Sequence, residues 1–151
     1  MMLQSITYGR WSMDSKKRGN VQTLIVQAIS VEELSELNTF AVGMYDSIET
    51  PEQWFQLQKA LVIDEQDQAL GMDTYCVVLS NGVTHYGGIE SCVLQENLLR
   101  LRLAVVAAQA LGIEEEVECH LQISNDALKT LRMGLRRVFK DDPNCPHTLQ
   151  L

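Results

Sequence analysis

The sequence predicts an α+β domain in which a mostly antiparallel sheet, built from hairpins, packs against a C-terminal amphipathic helix, with one further short helix. Three observations carry that expectation. Asn81-Gly82 joins two β-branched runs, the pattern of a tight hairpin. Val117, Cys119, Leu121 and Ile123 alternate with Glu116, Glu118, His120 and Gln122, the period of a strand with one buried face. Leu128, Leu131, Leu135, Val138 and Phe139 recur at steps of three and four, the period of a helix with one apolar side.

Length and composition frame this expectation. The chain has 151 residues, enough for one core and one ordinary domain, and its 46% hydrophobic and 21% charged content is that of a folded chain. Residues 1–20 read as a loosely attached extension to which Ile6, Tyr8 and Trp11 could add an edge strand. Residues 21–140 read as the domain, and residues 141–151 as a tail that docks back through Leu149 and Leu151.

Within the domain, residues 21–31 (VQTLIVQAISV) are β-branched and apolar enough for a strand. Residues 38–45 (NTFAVGMY) suggest a second, beyond an acidic connection at residues 32–36 that also fits a helical turn. Thr50-Pro51 fits either a helix start or a turn before a strand, and Gln56 and Gln58, alternating with Phe55 and Leu57, favour the strand. Residues 74–79 and 83–86 form the first clear hairpin, with a two-residue turn at Asn81-Gly82. Residues 89–94 and 98–103 form the second, with Leu99, Leu101 and Leu103 on one face and Arg100 and Arg102 on the other. The Ala-rich run 104–111 is a short helix that stops at Gly112. The alternating strand 117–123 follows. Ser124-Asn125-Asp126 then caps a helix through Lys140, and Pro143 and Pro146 prevent its continuation.

Charge narrows the function. Twenty acidic against 12 basic side chains give a net charge of −8, which disfavours nucleic-acid phosphates and favours cationic partners in encounter. Cys76, Cys92, Cys119 and Cys145 form no C-x-x-C pair and read as free thiols in a reducing compartment. No apolar run reaches the roughly 18 residues of a membrane span. A cytoplasmic protein without a membrane partner is the expectation.

Residues 57–91 hold the residues most able to do something. Asp64, Glu65, Asp67 and Asp73 crowd one connection. They lack the ordered D-x-D-x-D-G spacing and distal glutamate of a calcium loop, which leaves a solvated loop or an acidic edge facing a basic partner. His85 is an exposed strand residue or a contact, with acid–base chemistry as the remoter reading. Tyr86 is a core or edge aromatic or an interface anchor, and Gly87-Gly88 is a bulge or tight turn rather than a phosphate loop. His85, His120 and His147 stand too far apart in sequence for a helical metal pair. The run AAQALGIEEE resembles the start of a helix-turn-helix, but a strand follows where a recognition helix is needed. No catalytic residue, metal ligand or cofactor site is assigned.

The segment LQKALVIDEQDQALGMDTYCVVLSNGVTHYGGIES, the strand LLRLRL, the helix ending ALGI, the alternating strand and the closing LKTLRMGLRRVF together resemble the tenth immunity-protein family of bacterial polymorphic toxin systems. The resemblance spans roughly residues 21–139, and its most specific parts are DEQDQALGMD, TYCV and YGGIES. It implies a small cytosolic, non-catalytic protein that binds and neutralises a cognate toxin, itself basic if the acidity serves capture. The expected contact residues are then Asp64, Glu65, Asp67, Asp73, His85, Tyr86 and Glu90. A structural or homo-oligomeric scaffold protein without a toxin partner is the competing reading.

Overall fold

The computed structural model describes residues 20–151. In chain order the elements are β1 (Val21–Val26), β2 (Ala28–Leu34), a one-turn 3-10 helix (Ser35–Leu37), β3 (Thr39–Tyr45), β4 (Trp54–Ala60) and α1 (Glu65–Ala69). They continue with β5 (Cys76–Leu79), β6 (Thr84–Tyr86), β7 (Ile89–Gln95), β8 (Leu98–Leu103) and α2 (Val105–Leu111). Last come β9 (Glu116–Leu121), α3 (Asn125–Phe139) and β10 (Thr148–Gln150). The extension expected over residues 1–20, with its suggested edge strand, lies outside the described residues apart from Asn20.

The α+β class stands, and the single expected sheet is two. The first runs β1-β9-β8-β7-β10 and the second β2-β3-β4-β5-β6. All pairings of the second sheet are antiparallel, while β1 with β9 and β10 with β7 are parallel. The chain passes between sheets at Gln27, which corrects the expectation of one strand over residues 21–31. Leu24 and Val26 are buried in β1, but in β2 the residues packed on the core are Ile29 and Val31. The inward parity flips from even to odd, and one strand cannot do that because its side chains alternate without interruption. Gln27 straddles the break: its N–H donates to Tyr45 O at 2.9 Å, while Val26 O accepts from Gln122 N at 2.8 Å.

The hairpins form as expected, with one change of turn. Leu79 N donates to Val83 O at 3.0 Å and Gly82 N to Leu79 O at 2.8 Å, so the loop is Ser80-Asn81-Gly82 rather than two residues. Gly82 alone takes the left-handed conformation, at φ 86°, because the Asn81 side chain accepts from Val83 N at 3.0 Å and stays out of it. The strand at Gln56 and Gln58 is β4, as alternation indicated. The acidic stretch 32–36 divides between the end of β2 and the 3-10 turn.

One apolar cluster unites both sheets. Leu99, Leu101 and Leu103 of β8 and Val117, Cys119 and Leu121 of β9 share it with Phe40, Val42, Met44, Phe55, Leu57, Val77 and Leu79 of the second sheet. Each such side chain contributes about 1.5–3 kcal/mol on full burial. Helix α3 starts at Ser124, whose hydroxyl accepts from Ala127 N at 3.1 Å, and lays Leu131, Leu135, Val138 and Phe139 on β2, β3 and β4. Gly134 permits the close approach, since a Cβ there would stand 3.0 Å from Val31 and Val42 methyls.

Residues 141–151 are fastened at several points. Strand β10 pairs Leu149 with Cys92 of β7, and Arg136 donates to Leu151 O at 3.1 Å. Asp142, with its side chain fully buried, accepts from Asn144 N at 2.9 Å and from the Thr74 hydroxyl. Its other oxygen faces the Lys59 ammonium 3.0 Å away.

A candidate binding groove

Residues that oppose one another across an antiparallel sheet share a face, so register alone locates the outer surface of the second sheet. One transverse row is Glu32, Ala41, Gln58, Cys76 and Tyr86; the next is Ser30, Gly43, Gln56, Val78 and Thr84. Both lie opposite the face that α3 covers.

The polar members of these rows are joined head to tail. Gln58 Nε2 donates to Gln56 Oε1 at 3.0 Å, Gln56 Nε2 donates to the Tyr45 hydroxyl at 2.9 Å, and that hydroxyl lies 2.9 Å from Ser30 Oγ. With Gln56 donating into it, the Tyr45 hydroxyl is free to spend its own proton on Ser30. Tyr45 reaches both partners because it leans back along β3 over Gly43. A Cβ at Gly43 would overlap the Tyr45 hydroxyl and stand 2.8 Å from Ser30 Oγ. The ring also meets Trp54, with centroids 6.3 Å apart.

A groove of about 380 Å³ opens at one end of this face, between the sheet and α1. Its lining includes Asn38, Thr39, Gln58, Asp67, Met72 and Tyr86. Helix α1 replaces the loop expected around the four carboxylates, and two of them make it. Asp64 accepts from Asp67 N at 2.8 Å, and Asp67 returns the contact by accepting from Asp64 N at 3.2 Å, a reciprocal cap in which both carboxylates favour the helix N-terminus. Burial, followed by the nearby Cys76 and Asp67, pushes the Tyr86 hydroxyl above its ordinary pKa, so it remains a neutral donor at physiological pH. Lys59 also reaches the groove, but its ammonium is bound to Asp142 and to Val138 O, each at 3.0 Å.

The seven residues singled out from sequence are therefore dispersed. Asp67 and Tyr86 line the groove together. Asp64 and Glu65 are exposed at the start of α1, and Asp73 is half-buried in the connection to β5. His85 pairs with Val77 on the opposite face of the sheet, packs beside Gly88 and hydrogen-bonds through Nδ1 to Gly87 O at 3.3 Å. Glu90 is exposed on β7 in the other sheet, at an irregularity between Ile89 and Ser91. Sequence reasoning missed Tyr45, Gln56 and Gln58 as members of one surface. The glycine two residues before Tyr45 was the available signal, since it marks where a side chain lies flat on a strand.

The three thiols on the strands offer little reactivity. Burial pushes Cys92 and Cys119 up to about 12 and raises Cys76, so each keeps its proton at neutral pH. Among the described residues no group of three or more His, Cys, Asp or Glu side chains is placed to hold a metal ion. Nor is any helix among them long and apolar enough to cross a membrane. A larger hollow of about 420 Å³ lies beside Glu114, Glu115 and Glu116. Its lining also takes in Asn20, Arg102 and Gln109.

No curated protein and no solved structure matches the chain. A family model, immunity protein 10, matches residues 25–129, from β1 into α3, and so takes in both transverse rows, α1 and the groove. That span covers well over half of the sequence, and the chain belongs to the immunity protein 10 family.

Proposed function

We propose that this chain neutralises a cognate protein toxin by occlusion, without making or breaking a bond, and that the outer face of the second sheet together with α1 is the contact surface. Family membership supports toxin immunity in general. The observation that carries the surface is the groove, where a rigid, hydrogen-bonded row of side chains meets an acidic helix start. Preorganised polar and aromatic side chains lose little freedom on binding, and the carboxylates of Asp64, Glu65, Asp67 and Asp73 would speed capture of a basic toxin.

Titration of the purified chain against the product of the adjacent toxin reading frame tests this. Occlusion predicts that toxin activity falls linearly to a stoichiometric endpoint and returns on dissociation. Loss of activity at far smaller amounts would mean turnover and would overturn the proposal. The quadruple variant Asp64→Asn, Glu65→Gln, Asp67→Asn, Asp73→Asn keeps capping oxygens on α1 and removes the charge. Its association rate should fall about tenfold at low salt and converge on the wild type above about 0.5 M salt.

A further inference from the structure

We infer that the groove receives an arginine side chain presented by the bound toxin, with Asp67, the side-chain oxygen of Gln58 and the ring of Tyr86 as its recognition elements. This rests on the toxin-binding reading above and specifies what its centre takes.

The direction of the hydrogen-bond chain decides the chemistry. Gln58 gives its amide N–H to Gln56, and Gln56 gives its own to Tyr45. Turning the Gln58 amide over would set two carbonyl oxygens against each other, so the chain holds Gln58 Oε1 as its uncommitted acceptor end, in a residue that lines the groove. Asp67 lines the same groove and spends one oxygen on Asp64 N, leaving lone pairs for a second donor. Among the described residues lining the groove the ammonium is that of Lys59, which is bound to Asp142 and Val138 O rather than to Asp67. A carboxylate, an amide oxygen and the 40% exposed ring of Tyr86 therefore face one space of about 380 Å³. A guanidinium fits that set: it is planar, donates in two directions at once and stacks on aromatic faces, whereas an ammonium is a compact, strongly hydrated charge. The occupant belongs to a protein, because exposed Leu37 and Val62 flank Asn38 at the mouth and would be covered only by a larger surface.

The test uses the full chain, first without a toxin. N-acetyl-arginine amide, its neutral isostere N-acetyl-citrulline amide and N-acetyl-lysine amide are titrated while backbone and side-chain amide resonances are followed by NMR. The arginine probe should shift the Gln58 side-chain amide and the resonances around Asp67 and Tyr86. The citrulline probe should not, and Asp67→Asn, which keeps the helix cap, should abolish the response. No shift in the groove, or equal shifts with citrulline or lysine, would overturn the assignment. With the toxin, Asp67→Asn should weaken binding tenfold to a hundredfold, about the loss of one charge-assisted hydrogen bond. An unchanged affinity would overturn the toxin's use of this groove even if the arginine probe binds. If the wild-type chain neutralises no toxin while the probe still binds, the immunity reading fails and the groove's preference for arginine survives.

Discussion

The two sheets present outer faces of opposite character. On the first, charges satisfy one another: Arg102 lies 3.1 Å from Glu116, Arg100 lies 3.9 Å from Glu118, and Glu118 lies 3.4 Å from His120. On the second, amides and hydroxyls form a directed chain that leaves Gln58 Oε1 without a partner among the described residues, in the groove that Asp67 also lines. Ion pairs closed within a surface have little left for a partner, and in water they contribute little to stability. A directed amide chain with an open end keeps an acceptor available, and its hydrogen bonds order the two glutamine side chains before a partner arrives. Polarity alone does not mark a binding face; what matters is whether its groups are already spent.

The largest effect should come from the buried ion pair on the inner side of the second sheet. Lys59 reaches Asp142 with side chains 16% and 0% exposed, and Asp142 Oδ2 has no aligned hydrogen bond besides this charge contact. Lys59→Met strands a buried carboxylate and should cost about 3–5 kcal/mol in denaturant unfolding. Adding Asp142→Asn keeps the acceptor used by Thr74 and Asn144 N, removes the stranded charge and should recover more than half of that loss. A single Lys59→Met variant as stable as the wild type would show that solvent reaches this pair as freely as those of the first sheet.

Much of this architecture was legible in the sequence, wherever one local rule acted alone. Strict alternation placed β9, the Ser124 cap and apolar spacing placed α3, and Gly112 ended α2 at φ 72°. Even the passage between sheets is written in the change of inward parity at Gln27, although a stretch β-branched and apolar enough for one strand concealed it. Part of what the sequence did not disclose depends on partners distant along the chain, and part on which of two local roles a residue takes. Three residues, Thr148–Gln150, become a strand only because β7 offers an edge. Asp64 and Asp67 looked like a loose acidic loop because their use as helix caps requires each other's backbone. His85 and Tyr86, adjacent in sequence, face opposite sides of a strand, so a contiguous motif split into one groove residue and one packed residue.

An intermediate effect should follow from filling the space at Gly43. In Gly43→Ala the new methyl meets the Tyr45 ring, the Tyr45 hydroxyl and Ser30 Oγ, and Tyr45 must swing away. Crowding of this kind costs about 1–3 kcal/mol, and the chain from Gln58 to Ser30 loses its middle link. Tyr45→Phe removes only the hydroxyl and should cost about 1 kcal/mol, because its partners stay near water. Comparing the two variants in thermal unfolding and in toxin affinity separates the ring's position from its hydrogen bonds. If Gly43→Ala weakens binding clearly more than Tyr45→Phe, the flat ring is the element a partner meets.

The smallest effect belongs to the first sheet. Arg102 and Glu116 are each about half exposed, at 51% and 53%, so solvent screens their contact at 3.1 Å. Arg102→Ala and Glu116→Ala should each change stability by less than about 1 kcal/mol, and their coupling in a double-mutant cycle should fall below about 0.5 kcal/mol and disappear in about 1 M salt. Neither should alter toxin affinity, because both charges are already matched across β8 and β9. This is also the cleanest way to invert the contrast between the sheets. A partner gripping the first face would have to break or share these pairs, so a marked loss of affinity in Arg102→Ala, with none in Asp67→Asn, would move the interface to the opposite side of the molecule.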